Sequence, residues 1–234
     1  MGYSLAGFEV VGVDLEPQPR YPFAFVQGDA LAALRGELEG IDLSTFDAVH
    51  ASPPCQAYTA LRSLPWLRDR EYWDSIPPTL ELLRPLEIPW ILENVERAPV
   101  DGITLCGLMF GLAWPDGMPI YRHRRFACSE FLLAPGHPKH TVTLARADDD
   151  RPHGTRDRMD QRGAHVRGRR PIERYGRMAP RLNNGRVIGG HQSANLVAAS
   201  PLGVDWMRSH ESSQAIPPAY TEWLGERLLE RMIP

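Results

Sequence analysis

The chain has 234 residues, a formal net charge of −3, 43% hydrophobic and 24% charged residues. A chain of this size carries one domain, or one with a small appendage, and buries a core without disulfide or metal staples. The charge excludes a uniformly basic nucleic-acid coat but leaves room for a local basic face, and no apolar run approaches the roughly 18 residues of a membrane span.

The N-terminus lacks a charged-then-apolar leader pattern, so the expected location is the cytoplasm. Cys55, Cys106 and Cys128 are an odd count with no CxxC, which suggests neither a disulfide framework nor a zinc finger, and no metal is expected. Phe8 to Asp14 is a short β-branched run ending in an acid. Phe23 to Val26 is a second run, closed by Gly28-Asp29, and a helix-like stretch follows from Ala30 to Leu38. Phe46 to Ala51 is a third strand, stopped by Pro53-Pro54. Pro78 to Leu86 suits a helix with proline near its first turn. Trp90 to Val95 is a fourth strand. Strands alternating with helices predict parallel pairing through βαβ units, and ligands of such sheets lie beyond the carboxyl ends of the strands. Asp14, Asp29, Cys55 and Glu93 all fall at or just past strand ends.

The second half changes character. From Ala134 to Gly190 periodicity is weak, and Arg162–Arg186 holds eight arginines against one acid, Glu173. This stretch reads either as a solvated loop or as a phosphate-binding face. Lys139 is the only lysine in the chain, a bias that fits coding preference or phosphate recognition. Regular patterning returns at Pro217-Pro218, which opens a helix from Tyr220 to Met232.

Four motifs carry chemistry. In Ser52-Pro53-Pro54-Cys55-Gln56 the prolines fix φ and remove donors, so the thiol sits on a stiff turn rather than in a ladder. An inert buried cysteine is the plain alternative. Glu93-Asn94-Val95 ends the next strand, where a carboxyl lies either beside Cys55 or as a surface cap. In Tyr121-Arg122-His123-Arg124-Arg125-Phe126 strand alternation would point Arg122 and Arg124 the same way, or the charges simply guard an edge strand. Gln214-Ala215-Ile216-Pro217-Pro218 opens the last helix.

Taken together, in this order, the four motifs resemble those of the C5-cytosine-specific DNA methyltransferases, in their small bacterial or phage form. Pro53-Pro54-Cys55-Gln56 is similar to the family's nucleophile motif, Glu93-Asn94-Val95 to its ENV motif, and Arg122-His123-Arg124 to its RxR motif, with Ile120 where a glutamine is usual. Gln214-Ala215-Ile216-Pro217-Pro218 is similar to the final GNxVPP-type motif, with Gln214 in the asparagine position. Leu105-Cys106-Gly107 and Met109-Phe110-Gly111-Leu112 read like a connection seen in small members.

The resemblance implies an α/β, Rossmann-like S-adenosylmethionine-dependent sheet with a small irregular target-recognition segment. It divides the chain into a catalytic core over 1–130, a recognition segment over 131–200 and a returning segment over 201–234. It implies Cys55 as the nucleophile toward C6 of a flipped-out cytosine. Glu93 would hold the N3 edge, and Arg124, helped by Arg122, the O2 side. For the cofactor it implies Asp14 at the ribose, Asp29 at the adenine amino group, backbone near Leu15 and Ala30 around the adenine, and Pro53 and Gln214 alongside. For the substrate it implies Gln56 and Asn94 at the base and Arg167, Arg169 and Arg170 on DNA, with Asn183 and Asn184 as further contacts. Residues 57–75, with Tyr58, Arg62, Trp66 and Arg68, would form a closing loop. The implied partner is double-stranded DNA, with a restriction endonuclease as the cognate enzyme.

The family's central first strand and its glycine-rich FxGxG loop have no counterpart here, because Met1-Gly2-Tyr3-Ser4-Leu5 reads as the helix after that loop. The expectation is a start downstream of the natural one, or weak cofactor binding. Three other readings stand beside the enzyme: a relative acting on transfer RNA, a catalytically silent DNA-binding relative, and a thiol hydrolase using His50 as base.

Overall fold

A computed structural model describes residues 1–59, 70–113, 119–140, 202–204, 206–207, 211 and 214–232. The chain is mixed α/β and forms two units, one of Met1–Leu105, His123–Pro135 and Ile216–Pro234, the other of Cys106–Arg122 and Gly136–Ala215.

In the first unit, α1 (Gly2–Ala6) ends at Gly7, whose φ of 109° is a left-handed conformation that glycine adopts without a Cβ clash. β1 (Val11–Asp14) pairs in parallel with β2 (Ala24–Gln27), Asp14 opposite Gln27. Asp29 then caps α2 (Ala30–Leu34), its carboxylate accepting the Leu31 N–H at 2.9 Å. The helix stops short of the expected Leu38, at Arg35-Gly36, where Gly36 turns the chain with φ 72°. β3 (Val49–Ala51) pairs in parallel with β4 (Trp90–Val95), and α3 (Ile76–Leu83) begins on two prolines between them.

β5 (Ile103–Leu105) and β6 (Arg124–Cys128) depart from the all-parallel expectation. β6 lies between β4 and β5 and runs antiparallel to both, giving the order β3-β4-β6-β5. The chain leaves β5 at Leu105 and re-enters opposite it at Arg124, so its return at the same end must run backwards. The β1–β2 pair forms a separate two-stranded sheet.

Apolar residues at the faces of these elements make the core. Ile76, Leu83, Leu92, Ala98, Val100 and Ala127 pack together, with Leu34, Val49, Leu80 and Trp90 around them. β4 is buried from Ile91 to Asn94, as a strand covered on both faces should be. α4 (Pro218–Met232) buries Tyr220, Thr221, Leu224, Gly225 and Leu228, a helical stripe that faces α1. The two helices approach closely because glycines stand at the crossing. A Cβ on Gly225 would lie 2.7 Å from the Ala6 Cβ, and one on Gly2 would lie 2.1 Å from the Pro218 carbonyl oxygen. In the second unit a 3-10 turn, Gly107–Phe110, precedes a small cluster of Ile120, Leu202, Val204 and Ala215. No helix among the described residues is long and apolar enough to cross a membrane.

The close approach of α1 and α4 sets a prediction. Gly225→Val forces atoms into occupied space, and overpacking of this kind costs about 1–3 kcal/mol. Urea unfolding should show a lower midpoint with an unchanged slope; an unchanged midpoint would mean that the helices are not held at this distance.

Candidate functional site

Two buried polar residues interrupt the apolar run of β4. Glu93 and Asn94 are 7% and 1% exposed, although a buried carboxylate costs several kcal/mol unless paired. Register supplies the partner. Glu93 lies opposite Phe126 and Val95 opposite Arg124, so Glu93 and Arg124 are diagonal neighbours on one face. The Arg124 Nε donates to Glu93 Oε1 at 2.8 Å, and both side chains are largely shielded from water. Arg124 also donates from Nη1 to the His123 carbonyl at 3.1 Å.

Asn94 points the other way. Its Nδ2 donates to the Pro53 carbonyl at 2.8 Å, and its Oδ1 accepts the Val95 N–H at 2.9 Å. The reason lies in the prolines. β3 pairs with β4 through Ala51–Leu92, but neither Pro53 nor Pro54 has an N–H to extend the ladder. The Asn94 side chain takes the carbonyl that the ladder abandons, and so fixes the turn carrying Cys55. Cys55 is half-buried, and its carbonyl accepts the N–H groups of Tyr58 and Thr59 at 2.9 and 3.0 Å, closing a turn directly after the thiol. The Tyr58 hydroxyl donates to Asp74, which also accepts the Ile76 N–H at 3.1 Å. That carboxylate pushes the Tyr58 phenol up to about 12. Arg62, Trp66 and Arg68 lie outside the described residues.

Arg122 is not on the strand face expected for it. β6 begins only at Arg124, and the Arg122 guanidinium donates from Nε and Nη2 to the Ala215 carbonyl at 3.0 and 2.6 Å. This contact anchors the backbone beside Gln214, whose side chain is exposed. Arg122 is therefore a strut of the second unit, since neither β4 nor β5 continues far enough to pair with residue 122.

Asp14 and Asp29 stand at the carboxyl ends of β1 and β2 with exposed side chains. Asp14 accepts the Glu16 N–H at 2.9 Å and the Gln18 amide at 3.3 Å; Asp29 caps α2 and lies 3.9 Å from Arg35. Leu15 is 65% exposed, and its carbonyl accepts the Gln27 amide at 2.9 Å. Ala30 and Gln56 are exposed, and Pro53 is half-buried. Arg167, Arg169, Arg170, Asn183 and Asn184 lie outside the described residues.

The sequence reading missed a hydrogen-bond chain into the Cys55 turn. Burial pushes the Tyr3 phenol up, so Tyr3 keeps its proton and donates it to His50 Nδ1 at 2.7 Å. His50 Nε2 then donates to Ser52 Oγ at 2.9 Å. Burial lowers the His50 imidazole to about 4, which keeps it neutral. With both ring nitrogens engaged, His50 is not placed as a base for Cys55, and the hydrolase reading loses its only close candidate. The nearest signal in the sequence was a histidine two residues before the Ser-Pro-Pro turn. Also unforeseen, Cys106, His137 and His140 of the second unit bring ligand atoms within 4.8 Å of one another.

Two predictions follow from these pairings. Arg124→Ala leaves Glu93 buried without its counter-charge, at about 3–5 kcal/mol; adding Glu93→Gln should recover much of that loss in urea unfolding, and no recovery would refute the pairing. For His50 the folded value lies below the ordinary 6.5, so the unfolded chain binds more protons as pH falls from about 6.5 toward 4. Stability should drop through that window, by at most about 1.4 kcal/mol per pH unit for one proton. His50→Gln should flatten the slope between pH 6.5 and 5.

No known protein family, no curated protein and no solved structure matches this chain.

Proposed function

We propose that the chain is a DNA cytosine-5 methyltransferase that uses Cys55 as a covalent nucleophile. The reading rests on the resemblance of its four motifs. The observation that supports it best is the linkage at the end of β4: Glu93 is paired with Arg124, and Asn94 holds the Pro53-Pro54-Cys55 turn. Residues far apart in sequence thus meet where ligands of parallel strands lie. The finer fold, a Rossmann-like methyltransferase sheet, belongs to the same proposal. The parallel pairs β1–β2 and β3–β4 support it, and the described strands fall into two sheets rather than one.

The chemistry runs as follows. The Cys55 thiolate adds to C6 of a cytosine turned out of the duplex, forming a C–S bond as the C5=C6 double bond opens. Glu93 holds a proton at N3, which draws electron density from C6 and makes the addition easier. Arg124 serves Glu93 and the O2 side through charge-assisted hydrogen bonds. Loss of the C5 proton to solvent then re-forms the double bond and expels the Cys55 sulfur.

S-adenosylmethionine, when bound, supplies the methyl group that C5 gains. The residues present fit it: exposed carboxylates at the ends of two paired parallel strands suit ribose hydroxyls and an adenine amino group. Leu15 offers apolar surface beside them. Asp14, Asp29 and the backbone at Leu15 and Ala30 would hold it, with Pro53 alongside. Gln56 would contact the base, and the arginine-rich stretch around Arg167, Arg169 and Arg170 would track phosphates. Double-stranded DNA is the proposed partner, self-marking against a cognate restriction endonuclease the purpose, and the cytoplasm the location. A second reading, a silent DNA-binding relative, draws its support from the same division into two sheets.

Incubation with radiolabelled S-adenosylmethionine and either DNA or transfer RNA tests the proposal. Label should enter DNA and vanish with Cys55→Ser, and 5-fluorocytosine DNA should trap a denaturation-resistant adduct. Incorporation that survives Cys55→Ser, or none into DNA from a folded protein, would overturn it; label in transfer RNA alone would point to the RNA-acting relatives.

A further inference from the structure

The second unit holds a cluster that the proposed reaction does not use. Cys106 follows β5 directly and is fully buried, while His137 and His140 sit on the exposed segment Pro135-Gly136-His137-Pro138-Lys139-His140. The three bring ligand atoms to within 4.8 Å of one another. We propose that Cys106, His137 and His140 bind a borderline-soft divalent metal, with zinc the fitting occupant.

The spacing is that of ligands around a tetrahedral ion. With Zn–S near 2.3 Å and Zn–N near 2.05 Å, two ligand atoms at a tetrahedral angle stand about 3.6 Å apart. Cys106 Sγ and His140 Nε2 are 3.5 Å apart. The donor set selects the metal class: one thiolate and two imidazoles suit zinc and reject calcium or magnesium, which take oxygen.

The surroundings orient each ligand as an outer shell does. The His137 Nδ1 side meets the Pro138 carbonyl at 2.7 Å, so Nδ1 carries the proton and Nε2 is the coordinating nitrogen. The His140 ring stacks on Tyr121, centroids 3.9 Å apart and planes 8° from parallel. The Cys106 sulfur accepts the Met109 backbone N–H, while Cys106 N–H donates to the Met109 sulfur at 3.1 Å. Exposure of both histidines gives an entry path. A bound ion would tie the irregular 136–140 segment to Cys106 within the second unit.

The test uses the full chain without a histidine tag, stripped with chelator and titrated with Co²⁺ and then Zn²⁺. One equivalent of Co²⁺ should produce a thiolate-to-metal charge-transfer band, and one equivalent of Zn²⁺ should displace it. The band should persist in Cys55→Ser and Cys128→Ser and disappear in Cys106→Ser. Because loss of even an outer partner costs 10- to 100-fold, His140→Ala should weaken Zn²⁺ binding by at least about 100-fold. His140 is exposed, so that variant keeps the test meaningful should Cys106→Ser misfold. Absence of the band in the folded wild type, its survival in Cys106→Ser, or unchanged affinity in His140→Ala would overturn the site and leave a plain S–H···N hydrogen bond.

Discussion

The burial of Glu93 is the constraint on which the rest of the first unit turns. A carboxylate inside a strand otherwise made for a hydrophobic core is tolerated only because β6 delivers Arg124 to its diagonal position. That delivery requires β6 to sit between β4 and β5, and so requires the chain to return beside β5 after its excursion through the second unit. An apolar pair at these positions would be as stable or more so, since buried ion pairs often lose more on desolvation than they gain by attraction. The pair is therefore poor value as a stabiliser, which directs attention to what the carboxyl can do at a strand end.

The neighbouring Asn94 solves a different problem with the same strand. Pro53-Pro54 ends the β3 ladder, and an abandoned buried carbonyl costs about 1–3 kcal/mol. The asparagine amide replaces the missing backbone donor, and a one-residue alternation on β4 thus separates two duties: Glu93 faces Arg124, and Asn94 faces the cysteine turn. On the other side of that turn, Tyr3, His50 and Ser52 form a neutral hydrogen-bond chain. The turn is held from β4 and from α1 at once, and stiffness in it owes as much to these bonds as to the prolines.

The sequence makes some of this legible and hides the rest for identifiable reasons. β4 is found with its bounds intact because Pro89 precedes it and apolar residues of strand character run from Trp90 to Leu92 and close it at Val95. The parallel pairing of β1 with β2 and of β3 with β4 follows from alternation. The antiparallel β6 is hidden because its run is masked by arginines: Tyr121 to Phe126 looks like the strand, while the backbone begins pairing only at Arg124 and continues to Cys128. The same shift leaves Arg122 outside the strand and on the Ala215 carbonyl, a partner no spacing rule connects with it. β5 is only three residues and lacks any alternation to detect. The joining of Tyr3 to His50 is invisible because hydrogen bonds across 47 positions leave no local pattern. Cys106 and the histidines escape notice for a similar reason: His137-x-x-His140 alone is common, and the thiol that makes it informative lies in another segment.

The three cysteines show how one chain can give a single side chain three chemistries through environment. Burial pushes the Cys128 thiol up to about 12, so it stays protonated and inert on β6. Cys106 is fully buried, faces an imidazole and accepts a backbone N–H, so its sulfur is closed to a reactant from solvent. Cys55 is half-buried like Cys128, but it stands on a turn whose backbone is braced from two sides, so a reacting atom brought to it would meet a fixed target. Covalent catalysis needs that combination of access and fixed position. Cys106 is fully buried, and Cys128, though half-buried, lies within a paired strand with its thiol held protonated, so among the described cysteines the surroundings favour Cys55 for the proposed role.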